Sequence, residues 1–252
     1  MNGREQLEKV VAKLVRNRFE AVLAGSRNAA LEKVLEWVPL DATVGVANSV
    51  TLRQLGLMKA LRERGTIVLD PVAPSYGLAE LDEATFMPNL LKATLDSDVF
   101  LSGTNALTED GKLVNVDGLG NRVTGIIFGA PMSIVIVGRN KLVRNVDDAL
   151  GRIKNTITPA LIKRRQIPLP CARAGKCVDC SKLERACNIT VIIERRPSLT
   201  DLKVIVVDED LGLGWDPSWP KARIDGIRKK YEQFDWPYVQ AWREFKGKFR
   251  KR

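Results

Sequence analysis

The sequence predicts an α/β protein built on a mostly parallel sheet flanked by helices, and three observations carry that expectation. Short β-rich runs alternate with helical ones from residue 43 onward, the pattern of βα units. The run Ser133 to Val137 is apolar almost throughout, as a strand covered on both faces should be. A glycine-rich stretch from Gly103 to Gly129 follows a strand-like segment, where such sheets place their ligand loops. With 252 residues and 45% hydrophobic content, the chain is long enough for a substantial core.

In chain order, apolar residues near helical spacing predict one or two helices over residues 4–38, with Gly25-Ser26 as the interruption and Pro39 as the stop. Thr43 to Ala47 reads as a strand, and Thr51 to Arg64 as a helix capped by Asn48 or Ser49. Thr66 to Leu69 reads as a strand, Leu78 to Leu95 as a helical region broken near Pro88, and Asp98 to Ser102 as a strand. Asp110-Gly111 suits a hairpin turn with Lys112 to Val116 as the returning strand, and Asp117 to Asn121 forms a second turn. Asp147 to Gln166 reads as a helix kinked near Pro159; the strands Thr190 to Glu194 and Lys203 to Asp208 follow the cysteine region, and Trp215 to Pro220 is an irregular linker. The expected organisation is an N-terminal helical segment (1–40), an α/β domain (41–210) with a cysteine loop (170–188), and a basic helical tail (211–252).

Composition excludes several chemistries. The chain has no histidine, so a histidine-dependent triad and imidazole metal ligation are impossible within it. No long apolar run or secretory leader is visible, which predicts no membrane insertion and a cytoplasmic location. The net charge is +10, and residues 220–252 hold eleven Lys or Arg against four Asp or Glu. Interleaved with Trp236, Tyr238, Trp242 and Phe245, that tail could bind nucleic acid, but no nucleic-acid motif accompanies it. Docking on its own domain or on an acidic redox partner is the simpler expectation.

All four cysteines fall in one window, CARAGKCVDCSKLERAC, spaced C-x5-C-x2-C-x6-C at Cys171, Cys177, Cys180 and Cys187. The C-x2-C pair puts two sulfurs on one side of a turn and the outer cysteines can close a cage. Disulfides are disfavoured by compartment. Structural zinc and an iron-sulfur cluster remain, with the cluster preferred; Arg173, Lys176, Lys182 and Arg185 would offset the charge of either. A second candidate site is the loop SGTNALTEDGKLVNVDGLGNRVTG, where Gly103, Thr104 and Asn105 stand at a strand end. Asn115, Asp117, Asn121 and Arg122 can converge on it from the hairpin, and Asn48 and Ser49 occupy a similar strand-to-helix turn. Simple turn geometry and capping explain the same residues without a ligand. Neither a phosphate-binding P-loop nor a dinucleotide fingerprint is present.

VGVANSVTLRQLG, DVFLSGTNALTEDGKLVNVDGLGNRVTGIIFG and SIVIVGRNKLV together resemble the LUD (lactate utilisation) domain, over roughly residues 5–210. The resemblance implies a NagB/RpiA/CoA-transferase-like fold. It also implies membership of an iron-sulfur oxidoreductase system that oxidises lactate to pyruvate beside cysteine-rich partner subunits. The cysteine window resembles the single-domain form of the family, regarded as iron-sulfur proteins, so a 4Fe-4S cluster is the expected cofactor and zinc the alternative. Related enzymes act on sugar phosphates, folates or CoA esters at the strand ends corresponding to Asn48 and Gly103 to Asn105. A small organic acid or phosphate-bearing ligand is therefore expected, together with a redox partner. Glu109 does not match the CoA-transferase nucleophile motif, and no acyl-glutamate is expected. The alternative functions are a zinc-stabilised anion-binding module and nucleic-acid binding through the tail. No catalytic residue is assigned, and the oligomeric state stays open.

Overall fold

Strand β7, Met132–Gly138, shows how the sequence makes two layers: Ile134 and Ile136 enter one core, Val135 and Val137 the other. This is period-two alternation with both faces apolar, as parallel strands require. The computed structural model describes residues 3–71 and 90–234. Strands β1 (Glu20–Ala24), β2 (Thr43–Val46), β3 (Ile67–Leu69), β4 (Val99–Gly103), β7 and β10 (Asp201–Val207) form one sheet in the order β1-β10-β7-β4-β2-β3. Every neighbouring pair is parallel. A second sheet joins β5 (Ala106–Thr108), β6 (Leu113–Asp117), β8 (Leu142–Val143) and β9 (Ile189–Ile193) in the order β8-β5-β6-β9. There β6 runs antiparallel to both of its neighbours.

Helices α2 (Arg27–Trp37), α3 (Val50–Gln54) and α4 (Leu57–Glu63) cover one face of the large sheet through Ala30, Val34, Leu52, Leu57 and Leu61. On the opposite face, α1 (Gly3–Arg16) contributes Leu7, Val10 and Leu14 to a core shared with Phe100, Val135 and Val204 and with Leu107 and Leu113 of the second sheet. The short helix α5 (Asn121–Thr124) follows β6, and the other side of the small sheet packs Ala106, Val114 and Val116 on Ala149 and Ile153, from α6 (Val146–Arg152) and the π-turn after it. No helix among the described residues is long and apolar enough to cross a membrane.

The α/β expectation is met, with three differences of detail. The segment 4–38 holds two helices, but β1 lies between them and pairs with β10, while Ser26 caps α2 by accepting from the Ala29 amide at 3.2 Å. The helix expected over 51–64 is two, because Gly56 adopts φ 69° and turns the chain between α3 and α4. The kink expected near Pro159 is a π-turn over Ile153–Ile157 followed by α7 (Thr158–Arg164), whose second residue is that proline. Most of the region expected as helix over 78–95 lies outside the described residues, which show helix at 90–95. Of the tail, α9 (Lys221–Glu232) docks on the protein's own surface, Ile227 packing with Trp215 and Ile157. Trp236, Tyr238, Trp242 and Phe245 lie outside the described residues.

Candidate functional site: a cleft beside a cysteine chamber

Because the large sheet is parallel, the carboxyl ends of its strands open on one edge, and four connections converge there. Asn48 and Ser49 follow β2, Thr104 and Asn105 follow β4, Lys141 follows β7 and Gly212 follows β10. All six line a cleft of about 240 Å3, joined by Gly103, Asp117, Asn121 and Arg122. Between Gly103 and Ala106 the chain leaves the large sheet for the small one, so residues 104–105 form the hinge at the cleft floor.

The polar wall is tightly bonded. Asn105 Oδ1 accepts from the Val116 amide and from Arg122 Nη2, both at 2.9 Å. Arg122 Nη2 also donates to the Val116 carbonyl at 2.6 Å, and its Nε to Asp117 Oδ2 at 3.4 Å. Asp117 in turn accepts from the amides of Leu119, Gly120 and Val123. Of the residues expected at this site, Asn115 alone is absent from the cleft wall. It is fully buried in β6, and neither its Nδ2 nor its Oδ1 finds a partner.

Sequence reasoning missed Lys141. Its Nζ is buried and donates to the Thr104 carbonyl at 2.9 Å and Thr51 Oγ1 at 3.0 Å. Burial, and then the guanidinium groups of Arg122 and Arg152, push its pKa down to about 7. Arg152, itself lowered to about 10 by burial, clamps the turn by donating to the carbonyls of Asn140, Lys141 and Leu142. The Gly212 loop closes over the lysine. Its amide donates to Gln54 Oε1 at 2.6 Å, and Asn140 ties the flanking Leu211 and Gly214. A Cβ on Gly212 would stand 2.4 Å from Thr51 Oγ1 and 2.9 Å from Lys141 Nζ.

The four cysteines meet as a second group. Cys171 opens α8 (Pro170–Ala174) and packs against Ile162 and Leu169, and Cys187 packs against the small sheet. With Cys177 and Cys180 they line one chamber of about 20 Å3, and all four are free thiols. Burial first, and then the neighbouring Cys180 and Cys187, raise the pKa of Cys171. Between the C-x2-C pair, Asp179 takes φ 42° and its amide donates to Cys177 Sγ at 3.4 Å. The donor set suits a thiolate-bound metal centre. Among the described residues, however, no three such side chains are arranged closely enough to hold an ion.

The two sites share a wall. Thr158 lines both the cleft and the cysteine chamber. Arg185 lines the cleft, donates to the Cys180 carbonyl at 2.6 Å and lies beside Cys187, whose influence raises its own pKa. Asn188 Nδ2 donates to the Gly118 carbonyl at 2.9 Å, binding the cysteine loop to the cleft's hairpin.

Residues 7–207 match one family's model, that of the LUD domain. The chain belongs to the LUD domain family. Its six-stranded parallel sheet with flanking helices is consistent with that domain, and the family is associated with lactate utilisation. No curated protein matches the chain. Among solved structures, it is similar to a DUF162 family protein from Deinococcus radiodurans, with 13% identity and a TM-score of 0.46 over 82% of this chain and 99% of that one. In this LUD domain the match ends before the Gly212 loop and α9, both of which contribute to the cleft.

Proposed function

We propose that this LUD domain is an iron-sulfur component that holds a small organic acid, of the 2-hydroxy acid class that includes lactate, beside its cysteine chamber and works with a partner subunit. The observation that carries the reading is the shared wall, Thr158 and Arg185, which puts a cationic cleft against four thiols. Arg122 Nη1 makes no hydrogen bond among the described residues and is the donor available to a carboxylate, while Asn105 and Asp117 fix the guanidinium plane. Cys171, Cys177, Cys180 and Cys187 would hold the cluster, which supplies one-electron transfer when bound. Oxidation of a 2-hydroxy acid releases two electrons and two protons, so a second acceptor on a partner is required. A zinc centre held by the same four thiols is the second reading, because a four-cysteine set is an ordinary donor set for zinc.

Anaerobic purification decides between them. The proposal expects brown protein with iron and acid-labile sulfide in proportion, colour lost in Cys177→Ser, and colour kept with weakened organic-acid binding in Arg122→Ala. Colourless protein holding one zinc per chain would favour the second reading, and bleaching by Arg122→Ala would show that the two sites are not separable.

A further inference from the structure

We infer that Lys141 is the anion anchor of the cleft and takes up a proton when a small anion binds. The inference rests on the reading of the cleft as an anion site and adds the residue, the ligand charge and the proton balance. A neutral amine has two N–H donors, and the side chain has two acceptors, Thr104 O and Thr51 Oγ1. Those two bonds saturate the neutral form. The ammonium form carries a third N–H with no acceptor among the described residues, at a buried nitrogen that the Gly212 loop covers on one side and the cleft borders.

The charges around it act the same way. Arg122 faces Lys141 from the hairpin side and Arg152 from α6, and among the described residues no carboxylate acts on its nitrogen. Further along the cleft stand Arg165, Arg185, Glu184 and the Tyr231 phenol, and the one acid near Arg122, Asp117, is engaged by that guanidinium and three amides. These groups therefore favour neutral Lys141, consistent with a pKa depressed to about 7. An anion reverses the balance: it supplies the missing acceptor and a negative charge, and the lysine gains a proton from solvent as the ligand enters. A small anion that is already fully ionised, a carboxylate or a sulfate, fits this site.

Because the bound form needs the ammonium, affinity is highest below pH 7 and falls as pH rises through that value. Loss approaches tenfold per pH unit above it, and at pH 8 binding takes up about 0.9 proton per chain. Lactate, pyruvate and sulfate do not titrate between pH 6 and 9, so any proton exchanged belongs to the protein. The test is isothermal titration of the full chain with each anion across that range, in buffers of different ionisation enthalpy. Proton uptake near one per chain at pH 8, absent in a folded Lys141→Met variant that binds at least tenfold more weakly, is the expected result. Thr51→Val removes one acceptor and should move the affinity midpoint to lower pH, which keeps the inference open to test if Lys141→Met does not fold. Affinity independent of pH without proton uptake, or uptake that persists in Lys141→Met, overturns it. The two readings part cleanly: sulfate binding with uptake while organic acids fail sinks the organic-acid function and leaves Lys141 standing, whereas pyruvate binding without uptake does the reverse. If none of the three anions binds, both are wrong.

Discussion

Gly212→Ala is the substitution with the most to say about the cleft. Gly212 has φ 67°, a backbone region that costs a residue with a Cβ about 1–2 kcal/mol. The added methyl would also stand 2.4 Å from Thr51 Oγ1 and 2.9 Å from Lys141 Nζ. Those atoms bond each other, so neither can retreat without breaking the lysine's hydrogen bond, and overpacking of this kind costs about 1–3 kcal/mol. The two effects together predict a loss of about 3 kcal/mol. At roughly 2–4 °C per kcal/mol for a chain of this size, the melting temperature should drop by about 6–12 °C. Thermal unfolding followed by circular dichroism, with reversibility checked, reads this directly. Gly226→Ala is the matched control: Gly226 lies inside α9 with open space around it, and alanine there should stabilise by about 0.5–1 kcal/mol. A Gly212→Ala protein melting within about 1 °C of the parent would refute the description of a closed loop resting on Lys141.

Three further outcomes follow from the same structure. Asn115→Leu should stabilise the protein by about 1–2 kcal/mol in urea unfolding, because it removes two buried polar atoms that have no partner; a loss of stability would mean that the amide is hydrogen-bonded in solution. Burial alone would raise the pKa of Asp210, but Arg223 and Arg139 outweigh it and hold the carboxyl below its ordinary 3.8. Its contribution is thus complete above that value and is lost as pH falls through the lower folded value, so Asp210→Asn should flatten the acid limb of the stability curve, and an unchanged limb would count against the pairing. Asp117→Ala should weaken anion binding together with stability, since Asp117 both orients Arg122 and accepts three amides; a variant with normal affinity would show that Arg122 needs no such support.

The large sheet was legible because its central strands are apolar on both faces and short, as β7 illustrates. Strand β1 was not: Glu20, Ala21, Leu23 and Ala24 are good helix formers, and only pairing with β10 selects the extended form. The cleft was half legible. Glycines and small polar residues after β2 and β4 announce a ligand edge, and they do line one cleft. Lys141 carries no motif, and its position gains meaning only when the ends of four strands distant in sequence are brought side by side. Asn115 shares a strand face with Asp117 but lies two residues, roughly 7 Å, further from the strand end, and that step takes it from the cleft wall into the interior. The cysteine spacing announced convergence on one centre; the four thiols line one chamber, but among the described residues no three such side chains stand close enough to hold an ion.

The family match stops at residue 207, whereas the cleft does not. Its cover is the Gly212 loop, and one of its walls carries Tyr231 of α9. A chain cut after residue 207 would keep every strand of the parallel sheet and yet leave Lys141 open to water. The cover over that lysine, and with it the lysine's burial, thus depends on sequence that lies after the part matching the family model.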